Sequence, residues 1–380
     1  MKKIFKIIIF CSLFFTINNV AYSKSELKIG AILPLSGDHE LLGNNIYQSI
    51  LITIFELKNL NIKIIPLDTQ SSKAGAINAF RQGMNKKVDL FVGPIFYDTL
   101  NEIKNIEGFK EKLFISYSNR EENIFPNVIN FGVNLSSQIN SLVKLFQNNE
   151  QFIFFGDNSS FTKKVLEKSK KFKSKTSDVV FYKDFKDIGN QTKKVTNYEE
   201  RNKKHLEEIK KLEQIEDNLD EKLIESMKKH DTKEKVNFKK VFVSSFDDEL
   251  ISSISYFDFY DANYKDVQFV TLNLWFDNKY LKEPSLENLI FPSINLNGYQ
   301  ELNQKYKKNF GRNIYHLETL SFDIIPLASA IWFSTKEQQL KASMFNGTYK
   351  GKTGDFTIKE NKTDRDLILY KIENKKFKKI

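Results

Sequence analysis

Cysteine is nearly absent. The one in the chain, Cys11, lies in an apolar run near the N-terminus. The rest of the chain therefore excludes disulfides, thiolate zinc sites and cysteine nucleophiles, and its stability must come from packed cores. Histidine is scarce too: His39, His205, His230 and His316 are the four, with no two at metal-ligand spacing. No metal site is expected from them, and for His205 and His230, inside a charged stretch, a solvated role is expected. Arginine is rare. Only Arg81, Arg120, Arg201, Arg312 and Arg365 are found among 58 basic residues. The formal charge is +10, but phosphate and base-edge recognition favours arginine forks, so no nucleic-acid partner is expected. The sequence also lacks a Gly-x-Ser-x-Gly elbow, a phosphate-binding glycine loop with its lysine and a dinucleotide fingerprint. No catalytic residues, no cofactor and no enzyme activity are expected. The acidic pair Asp247-Asp248 reads as acids at a helix start, where the dipole favours them.

Long hydrophobic runs are missing as well. Ile7 to Ile17 is the apolar stretch, about 11 residues against the roughly 20 needed to span a bilayer. Lys2, Lys3 and Lys6 precede it, and Ala21-Tyr22-Ser23 follows with small residues where a signal peptidase reads. Residues 1–23 are therefore expected to be a secretory signal, with an uncleaved anchor as the alternative. Removing its three lysines from +10 leaves +7. Ile8-Ile9-Phe10 before Cys11 lacks the small residue of a lipidation site, so no lipid anchor and no stable membrane insertion after cleavage are expected. The expected location is the periplasm.

The remainder has the length of about two domains. Apolar strands read at 27–35, 61–68, 88–95, 112–118 and 128–133, with helical spacing at 42–57, 73–84 and 97–108. That order implies a parallel sheet covered on both faces, with ligands outside the carboxyl ends of its strands. A second round follows from Ser136, with strands at 151–157, 178–182, 239–245, 267–274 and 288–294 and helices at 298–309 and 317–334. The end reads as a hairpin: Gly351-Lys352-Thr353-Gly354 leads into Asp355–Ile358, and Asp366–Ile372 returns.

One segment departs from this alternation. Thr196 to Lys240 holds 12 basic and 12 acidic residues and no proline or glycine. Leu206, Ile209, Leu212, Ile215, Leu219, Leu223 and Met227 advance by a mean of 3.5 residues, the period of a helix-packing seam. One helix of about 50 Å is expected if some 35 residues join it. It would lie across its own lobe or serve as a partner-binding arm.

The candidate binding residues sit at strand ends: Ser36, Tyr97, Asp98, Ser116, Tyr117, Ser118, Asn119 and Arg120 from the first round, Phe161 and Trp275 from the second. They combine fixed polar groups with aromatic walls, as small-ligand clefts between domains do. Any one of the aromatics is equally suited to packing lobe against lobe.

Lys28-Ile29-Gly30…Leu33-Pro34-Leu35-Ser36-Gly37…Gly43, Val88-Asp89-Leu90-Phe91-Val92-Gly93-Pro94 and Phe114-Ile115-Ser116 together resemble the type I periplasmic binding proteins, in the leucine/isoleucine/valine-binding branch. Ser116-Tyr117-Ser118-Asn119, the segment ending near His230-Asp231-Thr232, Leu274-Trp275-Phe276-Asp277 and the closing hairpin look closest to the penicillin-binding protein activators. The resemblance implies an α/β fold of two Rossmann-like lobes joined by a multi-strand hinge. It assigns 27–133 plus 295–345 to lobe 1 and 134–294 plus 346–380 to lobe 2, with a charged helical insertion at 196–235. It implies a non-enzymatic regulator docking on a penicillin-binding protein, or the receptor of an ABC permease for an amino acid, peptide or similar small polar ligand. Amino-acid receptors of the family hold their ligand with small hydroxyl residues after the third strand and an Ala-Thr pair after the fourth. Here Tyr97-Asp98 and Ser118-Asn119-Arg120 stand in those places.

Overall fold

The structure is a computed structural model describing residues 26–58, 60–147, 150–214, 221–335 and 339–380. The expected signal segment, with Cys11, lies outside them, as do Ile215 and Leu219 of the expected seam.

The first round of elements is β1 (Leu27–Leu33), α1 (Glu40–Glu56), β2 (Ile62–Asp68), α2 (Lys73–Asn85), β3 (Leu90–Val92), α3 (Tyr97–Ile103), β4 (Leu113–Ser116) and β5 (Val128–Asn130). The second is α4 (Leu135–Leu142), β6 (Phe152–Asp157), α5 (Ser160–Ser169), β7 (Thr176–Tyr182), α6 (Ile188–Val195), α7 (Tyr198–Glu213), α8 (Glu221–Met227), β8 (Lys240–Ser244), α9 (Asp247–Phe259), β9 (Gln268–Thr271) and β10 (Ile290–Ser293). The chain then adds α10 (Leu296–Phe310), α11 (Ser321–Ser334), β11 (Gly347–Gly351), β12 (Gly354–Lys359), β13 (Lys362–Arg365), β14 (Ile368–Glu373) and β15 (Lys376–Lys379).

Two sheets result. One runs β11-β12-β13-β5-β4-β3-β1-β2 and the other β15-β14-β10-β9-β8-β6-β7. Each has a five-strand parallel core in which the first strand lies between the second and third. The strand order reverses there, which opens a crevice at the carboxyl ends. Apolar residues line both faces of each sheet, as β1 shows with all but Lys28 buried. Phenylalanine fills much of the volume. Phe91 and Phe114 stack at 4.8 Å in the first lobe, Phe146 and Phe172 at 4.2 Å in the second, offset pairs that add to simple area burial. Gly43 lets α1 close on the first loop, since a Cβ there would lie 1.9 Å from the Pro34 carbonyl oxygen.

The chain crosses between the sheets after β5, after β10 and after β13. The third crossing corrects the expected boundary. Residues 347–365 join the first sheet through β11, β12 and β13, and only β14 and β15 join the second. The returning strand of the expected hairpin is likewise β13, with Thr357 opposite Asp364; the stretch from Ile368 pairs with β10 instead. Strand alternation alone does not reveal which sheet edge a strand extends, because both edges accept the same pattern.

The charged segment is not one long helix. α7 ends at Glu213 and α8 packs back against it, with Glu213 bound to Lys228 at 2.6 Å. The buried stripe of α7 is Arg201, His205 and Ile209, while Leu206 and Leu223 are exposed. His205 is therefore interior, its Nε2 bonded 3.0 Å from the Met227 carbonyl and 2.9 Å from that of His230. Two acceptors at one nitrogen require the proton there. Arg201 ties the hairpin to its lobe by donating to the carbonyls of Thr196, Glu234 and Tyr260 and to the Thr232 hydroxyl.

Candidate functional site

The carboxyl ends of the two parallel cores face one another across a cavity of about 720 Å³. The first lobe contributes the loop and first turn of α3 and the loop after β4; the second contributes the first turn of α5, the residue before α9 and the loop after β9. Gly93 makes the tight exit from β3, at φ +101 and with a Cβ position 2.3 Å from the Ile32 carbonyl oxygen. Only glycine tolerates that conformation at that distance.

Of the expected site residues, Tyr97, Asp98, Tyr117, Ser118, Asn119, Arg120, Phe161 and Trp275 line this cavity. Ser36 and Ser116 do not. Ser36 donates from its hydroxyl to Asp68 Oδ2 at 2.6 Å and from its backbone to Oδ1 at 3.1 Å, fixing the loop after β1 to the one after β2. Burial works against the Asp68 carboxylate, but those bonds with Leu35 and Gln70 hold its pKa below the ordinary range. Ser116 is fully buried, donates to the Pro94 carbonyl at 2.8 Å and accepts from the Ser118 backbone at 3.1 Å. Ser118 in turn accepts from the Arg120 backbone at 3.1 Å. The hydroxyls of Ser36 and Ser116 thus build the loops instead of facing the space between them, while Ser118 both braces its loop and lines the cavity.

Tyr117 keeps its hydroxyl on Ser321 at 2.7 Å, inside lobe 1. Tyr97 accepts from the Ile124 backbone at 3.0 Å and carries the Arg120 guanidinium 4.5 Å above its ring. Arg120 also stands 3.8 Å from both Asp98 and Glu122. Asn119 and Asp98 are exposed at the rim.

Sequence reasoning missed the residues that join the lobes. Glu121 and Glu122 meet Lys168 and Lys164, one helical turn apart on α5, at 2.6 and 2.7 Å. Burial raises the Glu121 pKa, but bonds from Lys168 and Ser136 outweigh it and leave it lowered; the Lys164 bond lowers that of Glu122. His316 stacks on Trp275 at 5.4 Å and 6°. Burial pushes the His316 pKa down, against the pull of Asp277 and Asp247. Trp275 and Phe276 both adopt positive φ, +51 and +58. Each costs about 1–2 kcal/mol, and the Trp275 N–H bond to Asn273 Oδ1 at 2.9 Å helps hold them. Phe246 faces Phe161 at 5.7 Å. The available signal was position: Phe246 and Asn273 follow strands as Phe161 and Trp275 do.

Among the described residues no group of His, Asp and Glu is arranged to hold a metal ion, and no helix is long and apolar enough to cross a membrane.

The sequence pattern of the periplasmic binding proteins matches residues 26–181. No curated protein matches the chain significantly. Solved structures do match its fold. A putative branched-chain amino acid ABC transporter protein from Rhodospirillum rubrum is 12% identical with a TM-score of 0.72, covering 94% of this chain and 100% of that one. The isoleucine-bound LivJ of Streptococcus pneumoniae is 13% identical with a TM-score of 0.60, covering 94% and 99%. The C-domain of Haemophilus influenzae LpoA, a regulator of PBP1A, is 13% identical with a TM-score of 0.58, covering 93% and 99%. The chain thus carries the two-lobed fold of the type I periplasmic binding proteins, with that family's sequence pattern over residues 26–181.

Proposed function

We propose that this is a non-enzymatic periplasmic protein of the penicillin-binding protein activator kind, exported by residues 1–23 and docking onto a peptidoglycan synthase. The observation that carries this reading is the use of the cleft's hydroxyls. An amino-acid receptor needs small hydroxyls free to grip a carboxylate and an amine. Here Ser36 and Ser116 donate theirs inside the protein, and Ser118 accepts from the Arg120 backbone. Arg120, the group best shaped for a carboxylate, lies on Tyr97 between two acids. The likeness to the LpoA C-domain, a PBP1A regulator, supports the same direction. The α7–α8 hairpin, with Leu206 and Leu223 outward, offers lobe 2 a distinctive outer surface.

A second reading, the receptor of an ABC importer, is favoured by the cavity itself, whose roughly 720 Å³ falls in the range of small-molecule pockets. The test is to immobilise residues 24–380 and flow over them a full-length bifunctional penicillin-binding protein. Saturable binding, with a faster transpeptidase rate on adding the chain, is expected. Absence of binding together with tight binding of one free amino acid would replace this reading with the importer one.

A further inference from the structure

The side chains of the cleft divide into those already paired and those left over. The ionic ones are paired: Arg120 with Asp98 and Glu122, Lys164 with Glu122, Lys168 with Glu121. What remains is neutral. Phe96, Phe161 and Phe246 stand 42%, 39% and 41% exposed, large apolar faces turned to a cavity that each of them lines. A buried amide nitrogen remains as well. Asn273, after β9, is 6% exposed and lines the same cavity. Its Oδ1 accepts from the Trp275 backbone at 2.9 Å and from the Ser293 hydroxyl at 2.8 Å. A backbone N–H only donates, so the atom facing it is the oxygen and the other is the nitrogen. That Nδ2 is buried and has no hydrogen-bond partner in the protein. A buried donor left without an acceptor is costly, and an acceptor entering the cavity relieves the cost.

From this residue set we infer that the cleft takes a neutral N-acyl ligand, its amide carbonyl accepting from Asn273 Nδ2 and its ring or alkyl face lying on Phe161 and Phe246. A free amino acid brings two full charges to a site whose opposite charges are already taken, and stripping their water is not repaid. An N-acyl group brings one strong acceptor and no charge. It belongs equally to an N-acetylated sugar, whose C–H face stacks on aromatic rings, and to a capped peptide. The inference goes beyond synthase docking and does not depend on it.

The test follows Trp275 emission in residues 24–380. The other tryptophan, Trp332, is buried in the lobe 1 core away from the cleft. The probes are N,N′-diacetylchitobiose, N-acetyl-phenylalaninamide and, as the charged comparator, leucine. Asn273→Asp keeps the acceptor that holds Trp275 and replaces the free donor by a second acceptor; Phe161→Ala removes an exposed face without touching a core. A saturable change with one N-acyl probe is expected, and which of the two gives it identifies the source. Affinity should fall at least about tenfold in Asn273→Asp and about threefold in Phe161→Ala. No saturable change with either N-acyl probe, leucine binding as tightly as they do, or Phe161→Ala binding as tightly as the parent would overturn the inference. A failure here leaves synthase docking standing, because that is read by a different assay.

Discussion

Glu318 sets a pH dependence that separates one buried group from the rest of the protein. It lies in the short turn before α11 and is 0% exposed. Burial pushes its pKa up from 4.5 to about 7, with Arg312 and Asn45 pulling the other way. The unfolded chain releases this proton near 4.5 and the folded chain near 7, so between those values the folded state holds a proton the unfolded state lacks. Stability therefore falls as pH rises through that window and the deficit persists above it. The interval of 2.5 between the two values, at about 1.4 kcal/mol per unit, gives a loss of roughly 3 kcal/mol. Glu318→Gln cannot ionise and removes that loss. The assay is urea unfolding of parent and variant at pH 5 and pH 8. His316, whose depressed pKa works in the opposite sense, contributes equally to both proteins and cancels in the comparison. The parent should lose about 2.5 kcal/mol more than the variant between the two pH values, since a little of the loss falls below pH 5 and above pH 8. Parallel pH dependence in the two proteins would refute the reasoning.

Other changes have effects of known sign. Arg201→Ala leaves three carbonyls and the Thr232 hydroxyl without their donor, so the α7–α8 hairpin should be cut by protease at least tenfold faster while the rest of lobe 2 resists. Tyr117→Phe removes the bond to Ser321 and should cost about 1 kcal/mol by urea unfolding. Lys164→Gln breaks an exposed pair with Glu122 and should change stability by less than about 1 kcal/mol. It should nonetheless widen the separation of spin labels placed on the two lobes at low salt, with the difference from the parent vanishing at high salt.

Much of the architecture was readable because each sheet buries both faces. β1, β6 and β8 appear as short continuous apolar runs, and helices between them show as spacing. What failed did so for physical reasons. The stripe that α7 buries carries Arg201 and His205, whose guanidinium and Nε2 donate to backbone carbonyls, so an apolar count found Ile209 and Met227 but missed these two and took in the exposed Leu206 and Leu223. β11 to β13 alternate as any two-sided strands do, and their placement on the first sheet depends on a contact with Asn130 far along the chain. At the cleft, position after a strand gathered Tyr97, Arg120, Phe161 and Trp275, which line one cavity. It could not tell that Ser36 and Ser116 turn inward, because a serine at a strand end serves a loop or a ligand with the same hydroxyl. Asn273 was within reach by its position after a strand, but what singles it out is a bond its amide nitrogen does not make.

The most direct test of the account is the melting temperature of residues 24–380 against each standard free amino acid. At a thousand times its dissociation constant a ligand stabilises the folded state by about 4 kcal/mol, a shift no melting curve would miss. The account predicts no shift with any of them. A clear, saturable shift with one amino acid would contradict it and establish the cleft as a transport receptor's binding site.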